Sequence, residues 1–255
     1  MPPRRPSRDV PPPRGTGVSL PRALSKLGLC SRTQGERLVR EGRVRVDGRV
    51  VRDPTARVDL ARARLAVDDA PVAAERKVYL MLNKPRGLVT TRHDPQGRPT
   101  VYACLDDPTL PFVSPVGRLD RASEGLLLVT NDTRWAQRLL DPASHVDKRY
   151  HVQIDRLPDD AFLARLHEGV MEGGERLAVK AARVLRTGTR AAWLEIVLDE
   201  GRNRHIRRLL GALGVEVRRL VRVAVGPVVL GDLPKGAVRA LTPAERAALE
   251  RATRG

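Results

Sequence analysis

Aromatic residues are scarce in this chain, where they make up only 3% of the 255 positions. Modules that bind single-stranded nucleic acid with rows of stacked aromatic rings need many more of them. The composition therefore argues against such a module. Any stacking on a base must depend on one or two rings.

Cysteine is equally rare. The chain has only Cys30 and Cys104, with no Cys-x-x-Cys pair and no histidine spaced to complete a zinc site. We expect both thiols to be buried as small apolar residues, and we predict no metal site.

Long apolar runs are also missing. No stretch of 18 or more apolar residues occurs, and the first residues lack the apolar core of a signal peptide. We therefore expect a soluble, cytoplasmic protein without a membrane partner.

Acidic residues are too few to balance the basic ones. The chain has 30 Asp and Glu against 47 Lys and Arg, a formal net charge of +17. Such an excess favours a polyanionic partner through counterion release and electrostatic steering. Nucleic acid is the first candidate, and an anionic membrane surface is the second.

The length and the 41% of apolar residues are enough for a large domain and a small one. Residues 1–17 are rich in Pro, Arg and Gly and should form a disordered basic arm. Two helices are then predicted over residues 20–27 and 32–40, with Gly28 ending the first. A hairpin over residues 44–51 follows, with Asp47-Gly48 at its turn.

This helix-helix-hairpin unit resembles the S4 RNA-binding domain. The resemblance is carried by Ser31-Arg32, Leu38-Val39 and the sequence GRVRVDG over residues 42–48. We predict an S4-like domain over residues 18–75, with a linker through residues 68–71. Its arginines crowd two short elements, and we expect phosphates of RNA to screen their repulsion. These arginines are Arg32, Arg37, Arg40, Arg43 and Arg45.

The remainder, residues 76–255, is dominated by strand-like apolar runs with scattered helices. Since strict strand-helix alternation is absent, we predict an α+β domain built on a mixed, largely antiparallel sheet. The predicted strands cover residues 78–85, 87–91, 112–120, 125–132, 149–154, 193–198 and 217–230. The predicted helices lie near residues 133–140, 159–168 and 203–213, with a last one from Thr242.

A charged loop between Gly117 and Gly125 runs directly into one of the apolar runs. A loop anchored on a rigid strand can hold a reactive side chain at a fixed angle, which makes Asp120 a candidate catalytic carboxylate. Taken alone, however, an aspartate in an arginine-rich loop is more often a surface ion-pair partner.

The motif GRLDRASEGLLLVTND over residues 117–132 identifies a resemblance to ribosomal pseudouridine synthases of the RsuA/RluB type. That family combines an S4 domain with the pattern GRLD..S.GLLL.TND around its catalytic aspartate. The resemblance extends from residue 18 to about residue 247. It includes the sequences NKPRG at 83–87, HDPQGRPTV at 93–101, KRYHV at 148–152 and EGRNRHIRR at 200–208.

The resemblance implies the roles of several residues. Asp120 would act on the ribose, either attacking C1′ or removing a proton from C2′, and the sequence leaves this choice open. Arg207 would form an ion pair that keeps this carboxylate charged. Tyr150 would pack on the uracil and serve in proton transfer, and Leu220 would line the base pocket. No cofactor is implied, because the isomerisation needs neither a redox step nor a group donor.

A target uridine in a duplex must first be swung out of its stack, so basic side chains should hold the opened RNA. The candidates lie inside or beside the matched motifs. They are Arg86, Arg98, Arg118, Arg121, Lys148, Arg202 and Arg204. A glycosidase-like second acid at Glu124 or Asp132 is disfavoured, because the uracil stays in the site and no water need be activated.

The sequence therefore predicts a cofactor-free isomerase that converts a uridine of ribosomal RNA to pseudouridine. The segment 93–101 favours 23S RNA of the large subunit, and 16S RNA is the alternative. A rival from another class is a non-catalytic, S4-containing ribosome assembly factor. The protein is expected to act as a monomer, without a protein partner.

Overall fold

The computed structural model describes residues 17–254, so the predicted arm lies outside the described residues except for Gly17. The chain divides into two compact units; the first ends at Arg76 and the second begins at Lys77. No helix among the described residues is long and apolar enough to cross a membrane.

The first unit contains two helices and short strands. Its elements are β1 (Val18–Ser19), α1 (Leu20–Leu27), α2 (Arg32–Arg40), β2 (Val44–Val46), β3 (Arg49–Val50), β4 (Arg57–Val58), β5 (Leu65–Val67) and β6 (Ala70–Pro71). Gly28 ends α1 in the left-handed conformation, with a φ of 87°. Ser31 and Gln34 form a capping box at the start of α2. Both helices and the β2–β3 hairpin agree with the sequence prediction.

The predicted linker through residues 68–71 is wrong. Asp68 and Asp69 form a tight turn with φ values of 48° and 63°, a conformation that aspartate tolerates better than most residues. This turn joins β5 to β6 in a sheet of order β3-β2-β5-β6. Residues 68–71 therefore belong to the sheet of the first unit, whose core includes Leu65 and Val67 of β5.

The second unit carries the larger sheet. Its elements are β7 (Tyr79–Lys84), β8 (Ser114–Pro115), β9 (Glu124–Thr130), α3 (Thr133–Leu140), β10 (Lys148–Ile154), α4 (Asp160–Glu168), β11 (Val170–Glu172), β12 (Glu175–Leu177), β13 (Ala181–Thr187), β14 (Ala192–Leu198), α5 (His205–Ala212), β15 (Val217–Val225), β16 (Val228–Val229), β17 (Val238–Ala240) and α6 (Pro243–Ala252). Single 3₁₀ turns occur at Val101–Cys104 and Pro142–Ser144.

The main path of the sheet has the order β13-β14-β10-β15-β9-β7-β17. Strands β15 and β9 pair in parallel, whereas the other neighbours on this path are antiparallel. The predicted α+β class with a mixed, largely antiparallel sheet is therefore confirmed.

Several local predictions need correction. Residues 87–91 form a loop rather than a strand, and only Val89 makes a β-bridge, to Thr100. Strands β11, β12, β13 and β17 were not predicted, because charged and exposed residues interrupt their apolar pattern. Cys30 is buried as expected, but Cys104 is only half-buried, because it lies in a 3₁₀ turn near the surface.

Apolar cores fix the position of β9, the strand that follows the charged loop carrying Asp120. Strand β9 is buried along its whole length, because clusters of apolar residues cover both of its faces. A third cluster packs α4 and α5 against one face of β10, β14 and β15. The loop that carries Asp120 therefore leads directly into the most buried strand of the sheet.

Candidate active site

A pocket of about 230 Å³ opens between the Asp120 loop, β10, β15 and the start of α5. It brings together residues that lie far apart in the sequence. The residues predicted for the site that line it are Arg118, Asp120, Tyr150, Arg202, Arg204, Arg207 and Leu220.

The Asp120 loop begins at Gly117, whose φ of 75° lies in the left-handed region that favours glycine. The loop closes on itself through a hydrogen bond of 2.9 Å from the backbone N–H of Ser123 to the carbonyl oxygen of Asp120. The Asp120 side chain is 31% exposed, so its carboxylate faces the open pocket. A ligand in the pocket can therefore reach it.

A second loop, which follows β7, holds the Asp120 loop in place. The Thr90 hydroxyl donates to the carbonyl oxygen of Leu119 at 2.6 Å. The backbone N–H of Gly87 donates to the carbonyl oxygen of Arg121 at 2.7 Å. The segment predicted as a strand is thus a support for the candidate carboxylate.

Lys84 anchors the same loop from beneath, a contribution that the sequence analysis missed. Its side chain is fully buried. Its Nζ donates to the carbonyl oxygens of Ser123 at 2.8 Å, and of Asp120 and Pro85 at 3.1 Å. Burial, partly offset by the charges of Asp120 and Glu124, lowers the pKa of Lys84 from 10.5 to about 8. The NKPRG motif was the available signal, since a lysine within an apolar strand must find partners when buried.

The predicted ion pair between Arg207 and Asp120 is not formed in the structure. Arg207 instead donates to the carbonyl oxygens of Ala122, at 3.2 Å, and Val217, at 3.1 Å. These bonds tie the Asp120 loop to the beginning of β15. Asp120 acts on Arg207 only at longer range, because the guanidinium is turned toward backbone oxygens.

The electrostatic environment of Arg207 reflects this inward position. Burial lowers the pKa of Arg207, and the positive charges of Arg204 and Arg86 add to the effect, while Asp120 opposes it. Its buried Nε has no hydrogen-bond partner among the described residues. Arg207 is therefore a backbone anchor that also contributes positive charge near the pocket.

Arg204 is the guanidinium that reaches the carboxylate. Its NH1 lies 3.8 Å from Oδ2 of Asp120. Arg204 is the N-cap of α5 and adopts the left-handed conformation with a φ of 49°, which is uncommon for a residue other than glycine. This turn aims the side chain at the pocket. The sequence assigned Arg204 only to RNA binding, because spacing along the chain does not reveal a left-handed residue.

Tyr150 and Leu220 form the apolar part of the pocket. Tyr150 lies on β10, and Leu220 lies on the neighbouring strand β15, where it pairs with Val152. Leu220 is buried, and Tyr150 is half-buried against the apolar clusters. Because both side chains are held by the sheet, they present a fixed apolar surface beside Asp120.

Glu124 and Asp132 are both engaged in contacts outside the pocket. This agrees with the prediction that neither residue acts as a second catalytic acid. Glu124 is buried and bonds to Arg219 and Lys235, each at 2.7 Å. Burial opposes its ionisation, but hydrogen bonds from these cations lower the pKa of Glu124 to about 2. Asp132 caps α3 and accepts a hydrogen bond of 2.9 Å from the Tyr79 hydroxyl.

The pocket also contains a histidine that the sequence analysis did not assign. His205 is buried, and its Nδ1 lies 3.2 Å from Oε1 of Glu200. Burial lowers the pKa of His205, and Glu200 opposes the shift. The imidazole is therefore neutral at neutral pH.

The other cations predicted to bind RNA lie in different environments. Arg98 forms a bidentate pair with the buried carboxylate of Asp94, and this hydrogen bonding lowers the pKa of Asp94 to about 2. Burial lowers the pKa of Lys148, whose Nζ donates to a backbone oxygen. Arg202 is paired with Glu200. Arg86, Arg118 and Arg121 are exposed and form no ion pair within residues 17–254.

The arginines of the first unit are neutralised more than expected. Arg43 bonds to Asp68 and Arg45 bonds to Asp69, at 2.5 and 2.6 Å. Arg40 pairs with Glu36 of the same helix, and Arg37 pairs with Glu41 at the C-cap of that helix. Carboxylates of the same unit therefore screen part of the repulsion, and the binding of RNA phosphates by these arginines stays a prediction. Within residues 17–254, Arg32 makes no ion pair, so it is the best remaining candidate for a phosphate contact.

Across residues 17–254, no three His, Cys, Asp or Glu side chains come together in a way that could hold a metal ion. The pocket instead offers a carboxylate, guanidinium groups and an apolar wall. This arrangement suits a planar, polar ligand attached to an anionic chain.

Comparisons with known proteins agree with this geometry. Residues 78–212 match the family model described as RNA pseudouridylate synthase, and residues 18–61 match the S4 domain. An RNA pseudouridine synthase of Aquifex aeolicus is 38% identical over 237 residues, which cover 92% of this chain and 94% of that protein.

Two further comparisons bear on the function. Ribosomal large subunit pseudouridine synthase B of Bacillus subtilis is 34% identical over 229 residues, which cover 89% of this chain and 93% of that protein. A crystal structure of a pseudouridylate synthase aligns with a TM-score of 0.64 at 29% identity, covering 91% of this chain and 99% of that one.

Proposed function

Because the chain belongs to the RNA pseudouridine synthase family, we propose that it isomerises one specific uridine of ribosomal RNA, in the 23S RNA of the large subunit. Enzymes of this family are isomerases that act on RNA. The observation that carries the proposal is the pocket that joins Asp120, Tyr150 and Leu220, which are more than 25 residues apart in the sequence.

The reaction breaks the N1–C1′ bond of uridine, turns the uracil within the site, and joins its C5 to C1′. C5 loses its proton in the last step and N1, freed from the sugar, gains one, so the product has the same atoms as the substrate and no electrons are exchanged with another molecule. Asp120 is proposed to act on the ribose, either by attack on C1′ or by removal of the C2′ proton. The NH1 of Arg204 lies 3.8 Å from Oδ2 of this carboxylate, within ion-pair distance.

Tyr150 and Leu220 are proposed to hold the uracil while it turns. The tyrosine ring offers a stacking surface, and we assign its hydroxyl to proton transfer at the base or the sugar. Leu220 supplies an apolar contact that does not compete for the polar edge of the uracil. An apolar surface suits this task, since it permits rotation of the base in its own plane.

The cations around the pocket are proposed to bind the opened RNA. Extruding a base from a duplex costs a few kcal/mol, and contacts to the neighbouring phosphates offset that cost. Arg118 and Arg204 line the pocket and are exposed, so they are the first candidates. Arg86 and Arg121 extend the positive surface beyond it.

The choice of the large subunit is supported by the name of the Bacillus subtilis relative and by the segment 93–101. We propose that the protein works as a monomer in the cytoplasm.

Mapping of pseudouridines in 23S and 16S RNA tests the proposal. A strain without the gene should lack pseudouridine at one 23S position, and the wild-type gene should restore it. Loss of a 16S position would assign the enzyme to the small subunit. If both RNAs keep every pseudouridine, the ribosomal assignment is wrong, and a defect in subunit assembly alone would favour the non-catalytic assembly factor.

A further inference from the structure

One face of the large sheet is exposed and strongly basic. Along β10, β14 and β15, alternate side chains such as Val152, Leu194 and Leu220 point into the core with α4 and α5. The intervening residues point to the opposite side. We call this side the Trp193 face; it is defined by His151, Arg183, Arg186, Trp193, Glu195 and Arg219.

An indole ring and two guanidinium groups lie at the centre of this face. Trp193 is only half-buried, and Cζ of Arg186 and Cζ of Arg219 lie 5.2 and 5.8 Å from the centre of its ring. A β-bulge between Val184 and Arg186 brings Arg186 opposite Trp193. These side chains line a shallow cleft of about 320 Å³.

The charge of the face is not balanced. Arg183 and Arg149 share Glu195, at 2.8 and 3.9 Å. Arg186 makes no ion pair within residues 17–254. An excess of guanidinium groups around one carboxylate favours an anionic partner.

The half-exposed ring of Trp193 lies beside Arg219, which is paired with Glu124, and Arg186, which forms no ion pair within residues 17–254. A base can stack on an indole whatever its sequence, and the adjacent phosphates can pair with guanidinium groups. Trp and Arg are also common in protein interfaces, but the excess of guanidinium groups over carboxylates on this face favours a polyanion. Aromatic residues are only 3% of the chain, so an exposed tryptophan between two arginines is informative.

We propose that the Trp193 face is a second RNA-binding surface, at which one base stacks on Trp193 and a neighbouring phosphate pairs with Arg186. Trp193 lies on the side of the sheet opposite to Leu220. RNA bound to the face is therefore a different segment from the one that presents uridine to Asp120. The proposal does not depend on the assignment of Asp120 or of the 23S target.

Tryptophan fluorescence of the full-length protein tests this directly. The second tryptophan, Trp135, is only 1% exposed, so a change in emission on RNA binding reports on Trp193. The probe is a cytidine dodecamer, which contains no uridine for the Asp120 pocket. The expected result is quenching of the wild-type emission, and no RNA-dependent change in Trp193→Phe.

Charge variants distinguish a local contact from general attraction. Arg186→Gln should weaken the binding measured by quenching several-fold and reduce the slope of log K against log[salt] by about 0.7. Arg165→Gln removes the same charge from an exposed position of α4, on the other side of the sheet. This control should change neither quantity, and Asp120→Asn should leave the quenching intact.

The proposal is overturned if the dodecamer does not quench Trp193, or if the Arg186 and Arg165 variants behave alike. Protection of Trp193 from acrylamide by self-association, without a response to RNA, would instead identify a second copy of the chain as the occupant. A failure of this kind leaves the proposed isomerase activity untouched, because that activity is measured at the Asp120 pocket.

Discussion

Replacing Lys84 by methionine should loosen the loop that carries Asp120. The Lys84 Nζ donates to three backbone oxygens at 2.8 to 3.1 Å, including that of Asp120. Methionine has a similar length but no donor, so three buried carbonyl groups lose a partner, each at a cost of about 1–3 kcal/mol. Because a misplacement of 1 Å can cost about 100-fold in rate, we expect kcat to fall by about that factor, with a much smaller change in KM.

The titration of Lys84 also predicts how the free energy of unfolding changes with pH. Burial lowers the pKa of Lys84 from 10.5 to about 8. Between these two values the unfolded chain binds the proton and the folded chain does not, so raising the pH stabilises the fold. At 1.36 kcal/mol per pKa unit, the contribution of Lys84 to the free energy of unfolding should rise by roughly 2 kcal/mol from pH 7.5 to 9.5.

Urea unfolding of both proteins at pH 7.5 and 9.5, followed by circular dichroism, measures this contribution. The difference in the free energy of unfolding between wild type and K84M should grow in favour of the wild type by roughly 2 kcal/mol over that range. A difference that stays constant with pH would show that the buried Lys84 does not titrate as its contacts require. A K84M enzyme with the wild-type kcat would refute the anchoring role.

Three further outcomes are expected. Arg207→Lys keeps the charge but cannot reach both the Ala122 and Val217 oxygens, so single-turnover rates should fall by about 10- to 100-fold, and an unchanged rate would refute the anchor. Glu124→Gln removes the partner of Arg219 and Lys235; because both cations are partly exposed and can be hydrated, the protein should lose only about 1–3 kcal/mol in urea unfolding at pH 7. Hydrogen bonds overcome burial and lower the pKa of Glu124 from 4.5 to about 2, so the difference from wild type should shrink as the pH falls from 4.5 toward 2. Arg32→Gln should reduce the slope of log K against log[salt] for RNA binding by about 0.7–0.9, whereas an unchanged slope would remove Arg32 from the RNA contacts.

Local signals explain which elements could be predicted. Helix α2 was placed from Arg32 to Arg40 because Ser31 is a typical N-cap residue and Gly42 a typical stop; the structure adds that Ser31 forms a capping box with Gln34. Strand β9 was evident because residues 126–129 form an apolar run. Strand β13, in contrast, has no buried residue, and its place depends on pairing with β14. No local pattern reports such pairing.

The site shows the same distinction between local and long-range information. The order of the motifs predicted that Asp120, Tyr150 and Leu220 belong together, and the pocket joins them. The choice between Arg204 and Arg207 as the partner of Asp120 could not be predicted, because it depends on the left-handed backbone of Arg204. Lys84 was missed because its three acceptors come partly from a loop almost 40 residues away.

The central claim is that the Asp120 carboxylate acts on the ribose of a uridine. The most direct test is a single-turnover assay of pseudouridine formation in a ribosomal RNA fragment that contains the mapped target, with wild-type protein and Asp120→Asn. The asparagine has nearly the same shape but no negative charge. We expect Asp120→Asn to bind the fragment with near-normal affinity and to form no detectable pseudouridine. Pseudouridine formation by Asp120→Asn at the wild-type rate would show that the carboxylate does not act on the ribose.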